Sequence, residues 1–475
     1  MELEAVIGLE IHAQLSTKSK LWCGCDNDAF GAEPNTRVCP VCMGFPGMLP
    51  VLNSEGIDKS VRGAAALGCK IQKFSKFDRK NYFYPDLPNG FQISQYDQPI
   101  SKNGKVEISV EGKKRMIGIT RVHLENDAGK LTHTKSGTLC DYNRSGTPLI
   151  EIVTEPDLRS PQEAQVFAKE IQKILRFVRT SDADMEKGMM RFDASISLRP
   201  KGEKKLYPRS EIKNLNSFAS LLKALQYEIK RQKKLWEKKT PPEKEATVGW
   251  IDDEEKTVVM RDKEAAHDYR YFPEPDLPPV TFSEEEIQKI EEGIPELPLS
   301  KFHRYKTDYK LSEAEALKLS EREELAEFFE TSVKLSDEPK KSANLILSVL
   351  LSRDDWYRGF VTPQHVADVI DLLGNGKISS SGAKEILNTA MEEKNKGKSA
   401  KELMLDLGLE QVSDTGELEE WVDRVISENP ASVEDYKNGK EKALQFLMGQ
   451  VMKVSGGAAN PPVVLEMLKK RLSEK

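Results

Sequence analysis

Residues 5–15, AVIGLEIHAQL, alternate in character: Ile7, Leu9, Ile11 and Leu15 share one face, and Glu10, His12 and Gln14 share the other. A period of two is that of a strand with one packed and one polar face. The pattern returns in 114–127, KRMIGITRVHLEND, where Thr120, Val122 and Leu124 alternate with Arg121, His123 and Glu125. Residues 106–110 (VEISV) and 147–155 (TPLIEIVTE) also read as strands, the latter with Glu151 and Glu155 on one face. Alternation is clearest in 189–199, MMRFDASISLR. There Met190, Phe192, Ala194, Ile196 and Leu198 oppose Arg191, Asp193, Ser195, Ser197 and Arg199. Residues 208–214 bring Arg209, Glu211 and Lys213 into line. Between strands the period changes to that of helices, at 54–68, from Ser160 to about Thr180, and from 217 to about 238. Ser160-Pro161-Gln162-Glu163 is a capping-box start with proline at the first helical position.

These strands share a design, one apolar face and one face carrying charged groups. An open, mostly antiparallel sheet with helices behind it buries the apolar faces and leaves the polar ones lining a concave surface. The predicted class is α+β. Proline density rises at 273–279 and 294–299, and from residue 300 on the chain reads as helical and Lys/Glu-rich. Boundaries near 294 and 408, where DLGLEQVSD begins, divide the chain into a β-rich domain (1–293), a helical domain (294–408) and a tail domain (409–475).

Composition narrows the class. Hydrophobic residues make up 38% and charged residues 31% of the 475, a water-compatible balance. The net charge of −6 gives no global basic field, so any nucleic-acid contact must be local. MELEAVIGLE has no cationic stretch leading into an apolar one, and no apolar run reaches about 18 residues, so a cytoplasmic protein is expected.

Four of the six cysteines are close in sequence: Cys23-x-Cys25 and Cys39-x-x-Cys42. Two such pairs can close a tetrahedral zinc site, with Gly44 easing the turn after Cys39-Pro-Val-Cys42. Four thiolates leave no open position, so the site is expected to staple the fold; the alternatives are two incidental pairs, or disulfides, which the lack of a secretory signal disfavours. Cys69 and Cys140 stand apart. Glu10, His12, Glu125 and Glu151 come from three strands, and carboxylates with an imidazole suit Mg²⁺ or Mn²⁺. The competing reading is a solvated polar face. His123 and His133 are weaker candidates. Arg191, Asp193, Glu211 and Lys213 form a second set, able to hold a cation and clamp phosphates or simply to form cross-strand salt bridges. No Walker A motif, GxGxxG, kinase glycine loop or GxSxG elbow is present, nor a convincing Ser/His/Asp arrangement. Residues 436–475 hold eight Lys/Arg against three Glu, which suits an RNA backbone or an ordinary solvated helix pair.

The segment 76–98, KFDRKNYFYPDLPNGFQISQYDQ, crowds Asp78, Arg79, Lys80, Asn81, Tyr82, Tyr84, Asp86 and Gln92 around a proline- and glycine-broken turn, as the wall of a polar pocket would. It resembles the signature of the GatB family, one of the component chains of the glutamyl- and aspartyl-tRNA amidotransferases. So do VIGLEIHAQL, ITRVHLENDAGK, DYNRSGTPLIEIVTEPD, RFDASISLRP, EIKNLNSF, DYRYFPEPDLPP and GKEKALQFLMGQVMK, in order from residue 6 to about 460. The resemblance implies a β-rich cradle, a helical domain and a tail that contacts tRNA. It implies a heterotrimer, in which the GatB chain joins an amidase (GatA) and a small third chain (GatC). The implied chemistry is ATP- and Mg²⁺-dependent phosphorylation of the side-chain carboxylate of Glu-tRNA(Gln) or Asp-tRNA(Asn), then amidation by channelled ammonia. By the same resemblance, Glu10, His12, Glu125 and Glu151 hold Mg²⁺, and Asp193 and Glu211 serve a second ion near ATP. Lys80, Tyr82 and Glu125 take catalytic roles. Arg79, Tyr84, Arg191 and Lys213 meet ATP or substrate, and Lys440, Lys442 and Lys453 meet tRNA. Two rivals remain: a zinc-bearing RNA-binding or assembly protein without chemistry of its own, and a self-contained ATP-dependent ligase.

Overall fold

The alternating strands assemble into one large sheet. The structure, a computed structural model, describes residues 2–262, 269–353, 359–411 and 415–473. Asp268, which opens the DYRYFPEPDLPP motif, and residues 412–414 of the DLGLEQVSD break lie outside the described residues. In chain order the strands are β1 (Leu3–Gln14), β2 (Lys70–Ile71), β3 (Phe74–Ser75), β4 (Asp78–Asn81), β5 (Phe91–Ser94), β6 (Ser101–Val110), β7 (Lys113–Asn126) and β8 (Lys130–Thr134). They continue as β9 (Gly137–Asp141), β10 (Pro148–Thr154), β11 (Met190–Pro200), β12 (Ser210–Leu215), β13 (Ala246–Ile251), β14 (Lys256–Asp262), β15 (Phe272–Pro273) and β16 (Val280–Thr281).

Nine of these form one sheet in the order β14-β13-β12-β11-β1-β10-β7-β6-β2. Every neighbouring pair is antiparallel except β12 and β13. That parallel pair needs a crossover, supplied by helix α3 described next. Helices α1 (Ser54–Ala66), α2 (Pro161–Phe177) and α3 (Phe218–Glu237) cover the apolar face, where Ile7, Leu9, Ile11, Phe192, Phe167, Ile171 and Leu175 share one core. Burying a side chain of this size contributes about 1.5–3 kcal/mol. Each helix starts on a side-chain cap: Asn53 accepts from Glu55 N, Ser160 from Glu163 N and Ser217 from Ser220 N. The capping box expected at Ser160 forms by half. Glu163 turns its carboxylate to the Arg159 N–H at 2.8 Å and to Arg115 at 2.7 Å.

The opposite, polar face of the sheet stays open to a cleft. Across it stands a small sheet in the order β15-β4-β5, which carries Arg79 and Lys80. The turn Tyr82–Gly90 links β4 to β5 through successive bonds, Leu87 N to Tyr84 O at 3.0 Å and Gly90 N to Leu87 O at 2.9 Å. Glu155 lies one residue past the end of β10, where the β10–β7 register shifts between Val153 and Thr154 with Thr120 as the extra residue on β7. Its carboxylate accepts the Thr120 hydroxyl at 2.7 Å.

Contacts divide the chain into two compact units, 1–300 and 301–475. The first ends with α4 (Glu284–Glu292), and α5 (Pro298–Thr307) spans the division. The second unit is helical, with α6 (Glu313–Leu319), α7 (Glu323–Ser336), α8 (Pro339–Ser348), α9 (Pro363–Gly374), α10 (Ser380–Ala390), α11 (Ala400–Asp406), α12 (Thr415–Glu428), α13 (Pro430–Lys437), α14 (Lys442–Val454) and α15 (Pro461–Ser473). It contains two separate hydrophobic cores. One gathers residues between Tyr305 and Met404, the other residues between Leu418 and Leu472. Among the described residues no helix is long and apolar enough to cross a membrane.

Candidate active site

Register decides which polar residues meet. Arg191 on β11 pairs with His12 on β1, His12 with Glu151 on β10, and Glu151 with His123 on β7. These four therefore stand in one row across four adjacent strands. The neighbouring row on the same face is Asp193, Glu10, Val153 and Arg121. Glu125 lies two residues beyond His123 on β7, on the same face.

The side chains converge. His12 Nε2 lies 3.4 Å from Glu151, 3.6 Å from Glu10 and 3.9 Å from Glu125. His123 Nε2 lies 3.4 Å from Glu151 and 3.6 Å from Glu125. Each ring's Nδ1 is buried without a partner, so both imidazoles meet the cluster through Nε2 alone. Glu10, His12 and Glu151 bring their donor atoms within 4.8 Å of one another, as do His123, Glu125 and Glu151. An octahedral cation with oxygen ligands at about 2.1 Å spaces adjacent donors by about 3 Å, which the cluster matches with small closure. Ser94 donates to Glu125 at 3.0 Å and orients it.

Electrostatics follow the geometry. Burial alone would lower the basicity of both imidazoles, but Glu151 outweighs it; His12 is raised and His123 reaches about 9. Glu125 and Glu151 would be raised by burial, yet His123 holds both below the ordinary carboxylate range. Glu10 is pushed up to about 7 by burial and by the charge of Glu151. Burial works against the charge on Lys80, but Glu125 more than restores it.

Two cavities open on this face, of about 480 and 500 Å³. Glu10, Lys80, Lys213 and Tyr269 line both and so stand where the two meet. The first cavity extends along Arg121, Ser195, Arg209, Tyr96 and Tyr271; the second along Tyr82, Asp86, Gln92, Glu125 and Arg191.

The remaining sequence-predicted residues separate. Asp193 and Glu211 form no three-ligand group among the described residues. Lys213 stands between them, 3.0 Å from Asp193 and 2.8 Å from Glu211. Arg79 lines neither cavity: it grips Glu274 through two bonds of 2.7 and 2.8 Å and lies 4.4 Å over the Phe91 ring. Tyr84 leans on Tyr82 with ring centroids 5.8 Å apart and lines neither cavity. His133 lies on the exposed β8–β9 hairpin, bonded to Thr138, away from the cluster. Lys442 and Lys453 are exposed on one side of α14, eleven residues apart, and Lys440 pairs with Asp435 at 2.8 Å. Sequence reasoning left out Arg121, Ser94 and the Tyr96–Tyr271 stack, whose rings lie 4.3 Å apart. For Arg121 the signal was present, since it alternates in phase with His123 and Glu125.

Cys23, Cys25, Cys39 and Cys42 bring all four Sγ atoms within 4.8 Å of one another. Zinc–sulfur bonds of about 2.3 Å in a tetrahedron put sulfurs about 3.8 Å apart. Cys39 and Cys42 stand at 3.9 Å, so the residues fit a closed zinc site. Cys42 is drawn down to about 5, first by the Cys23 thiol and then by the Cys39 N–H at 3.1 Å and the buried ammonium of Lys20 at 3.6 Å. Burial pushes Cys25 up to about 11. Gly44 has φ +67°, and a Cβ there would lie 2.5 Å from Asn89 Oδ1 and 2.9 Å from the Pro88 backbone, so the knuckle requires glycine.

An open sheet whose polar face gathers three carboxylates, two imidazoles and several cations around paired cavities has the makings of an enzyme's active surface. Comparisons with known proteins agree. Residues 5–288 match the family model described as the GatB/GatE catalytic domain, and residues 327–472 match the GatB domain. Among curated relatives, the B chain of the aspartyl/glutamyl-tRNA(Asn/Gln) amidotransferase of Carboxydothermus hydrogenoformans is 46% identical over 483 residues, covering 100% of this chain and 99% of the relative. The protein of the same name from a Thermoanaerobacter species is 48% identical over 480 residues, covering 100% of both chains. That of Moorella thermoacetica is 47% identical over 481 residues, covering 99% of this chain and 100% of the relative. The chain belongs to the GatB family.

Proposed function

We propose that this chain is the GatB component of a cytoplasmic tRNA-dependent amidotransferase. In this reading it phosphorylates the side-chain carboxylate of Glu-tRNA(Gln) or Asp-tRNA(Asn) with ATP. Ammonia from a partner amidase, GatA, then displaces the phosphate and leaves the amide, and the small GatC chain completes the heterotrimer. The relatives' shared name supports the substrate and the assembly. The observation that carries the reading is the pair of cavities meeting at Glu10, Lys80, Lys213 and Tyr269. Two substrates that exchange a phosphoryl group need two pockets with one shared wall.

The chain's residues have definable work in this chemistry. A carboxylate is a poor acceptor for ammonia until its oxygen becomes a good leaving group, and phosphoryl transfer asks for positioning and charge stabilisation more than for a covalent nucleophile. Lys80 stays protonated at the shared wall and offers its ammonium to charge developing between the cavities. Arg191, fixed by Asp127 at 3.2 Å, and Tyr82 line the cavity assigned to the aminoacyl end. Glu10, His12, Glu125 and Glu151, with His123, would hold a divalent cation, which neutralises phosphate oxygens when bound. Asp193 and Glu211 reach a second cation only if Lys213 moves aside. The four cysteines would hold a structural zinc ion. The tail 409–475, with Lys440, Lys442 and Lys453, follows the tRNA backbone, and the region between 294 and 408 links it to the cradle.

The test is ATP hydrolysis by the assembled complex without an amide donor, with and without Glu-tRNA(Gln). Stimulation by misacylated but not by correctly charged tRNA, abolished in Glu125→Ala with tRNA binding retained, is the expected result. Absence of stimulation would shift the reading to an RNA-binding scaffold.

A further inference from the structure

We propose that Arg121 is an anion-binding residue of the first cavity, and that its ligand is the phosphate chain of a nucleoside triphosphate; this rests on the ATP-dependent reading above. The other cations lining the two cavities are compensated. Arg209 lies 3.3 Å from Glu245, Lys213 lies between Asp193 and Glu211, and Arg191 lies 3.2 Å from Asp127. Lys80 stands 5.1 Å from the centre of the Tyr269 ring, within the field of Glu125. Arg121 differs. Its Nε is buried without a hydrogen-bond partner, and among the described residues no carboxylate pairs with its guanidinium. Glu155, one residue past the end of the partner strand, is bonded to the Thr120 hydroxyl at 2.7 Å. A guanidinium cannot shed its proton, and although Arg121 as a whole is half-buried, a buried Nε–H left without an acceptor is costly. The arrangement is consistent with a site completed by an anion from outside, and the planar fork of arginine suits phosphate oxygens.

Position favours a phosphate chain over a lone ion. Arg121 lies in the row next to His123, Glu151 and His12, about 7 Å along the strand from the carboxylate–imidazole cluster. A phosphate chain gripped at Arg121 therefore extends toward the residues placed for a divalent cation. The same cavity supplies flat walls in Tyr96 and Tyr271, stacked at 4.3 Å, and in Tyr207. These suit a base. Its volume of about 480 Å³ lies within the range of small-ligand sites.

The experiment is calorimetric titration of the full chain with the non-hydrolysable analogue AMPPNP and Mg²⁺, for wild type, Arg121→Gln and Arg121→Lys, alongside melting without nucleotide. Arg121→Gln should weaken AMPPNP binding about 10- to 100-fold, and Arg121→Lys should fall between. Because no protein partner is orphaned, Arg121→Gln should melt at or above the wild-type temperature, and its affinity for tRNA should not change. AMPPNP affinity within twofold of wild type in Arg121→Gln overturns the proposal while leaving ATP use intact. So does a loss confined to tRNA, which would make the ligand an RNA phosphate. A melting temperature several degrees lower would show that the guanidinium has a structural partner, and overturns it as well. No AMPPNP binding by the wild-type chain overturns both this proposal and the ATP-dependent reading.

Discussion

Replacing Asp127 by asparagine removes one charge from the best-satisfied carboxylate of the site. Asp127 is 1% exposed. Its Oδ1 accepts from Arg191 at 3.2 Å and from the Ala128 N–H at 2.9 Å, its Oδ2 accepts from Gln14 at 3.0 Å, and Arg144 stands at 3.6 Å. Burial alone would raise its pKa, but Arg191 and Arg144 hold it down at about 2, against an ordinary 3.8. That difference corresponds to about 2 kcal/mol of stability. The folded pKa is the depressed one, so the contribution is complete above the ordinary value and disappears as pH falls through the folded one. Asp127→Asn should therefore lower the melting temperature of the β-rich unit by about 4 °C at pH 7. The gap to wild type should persist to about pH 4, halve near pH 3 and close by about pH 2. Calorimetric melts across this range make the measurement. A variant that melts within 1 °C of wild type at pH 7, or a gap that ignores pH, would refute the argument that ionised Asp127 is held by its two arginines.

Three further outcomes follow from the same geometry. Cys39→Ser and Cys42→Ser should each lower the zinc content of the purified chain from one ion to a small fraction and lower its melting temperature, as strong chelators should in wild type; full zinc retention in both would disprove the four-cysteine site. Ending the chain after Gln411 removes the core built on Leu418, Leu447 and Leu468 but spares the one built on Tyr305, Phe329 and Val366. Such a truncation should weaken tRNA binding while assembly with the partner chains persists, and unchanged tRNA affinity would remove the tail from that role. In Gly104→Ala the new methyl would lie 2.3 Å from Cys69 Sγ and 2.9 Å from Leu67 O, so the variant should lose about 1–3 kcal/mol in chemical denaturation. Wild-type stability would mean that the end of α1 and strand β6 separate freely.

What the sequence determined by itself is the chemistry of each face. Strict alternation in 5–15, 114–127 and 189–199 committed Glu10, His12, His123, Glu125, Arg191 and Asp193 to the polar sides of their strands, because a strand's side-chain period is two and its apolar set must reach the core. Spacing likewise announced the four-cysteine knuckle, and the helical character of the chain after residue 300 was plain from its period. Tertiary structure decided what those faces do together. The His12–Glu151–His123 row exists because β1, β10 and β7, far apart in sequence, are neighbours in one register, and no local pattern encodes the partner of a strand. Glu155, placed on the same face by its spacing from Glu151, lies past the end of β10, bonds Thr120 and lines neither cavity. Pairing also divided the cations: Arg79 went to Glu274 and Lys213 to two carboxylates, while Arg121 Nε met no hydrogen-bond partner among the described residues. Charge compensation is a property of distance in three dimensions, and it falls off too steeply for sequence order to foretell which of several arginines is left for a ligand.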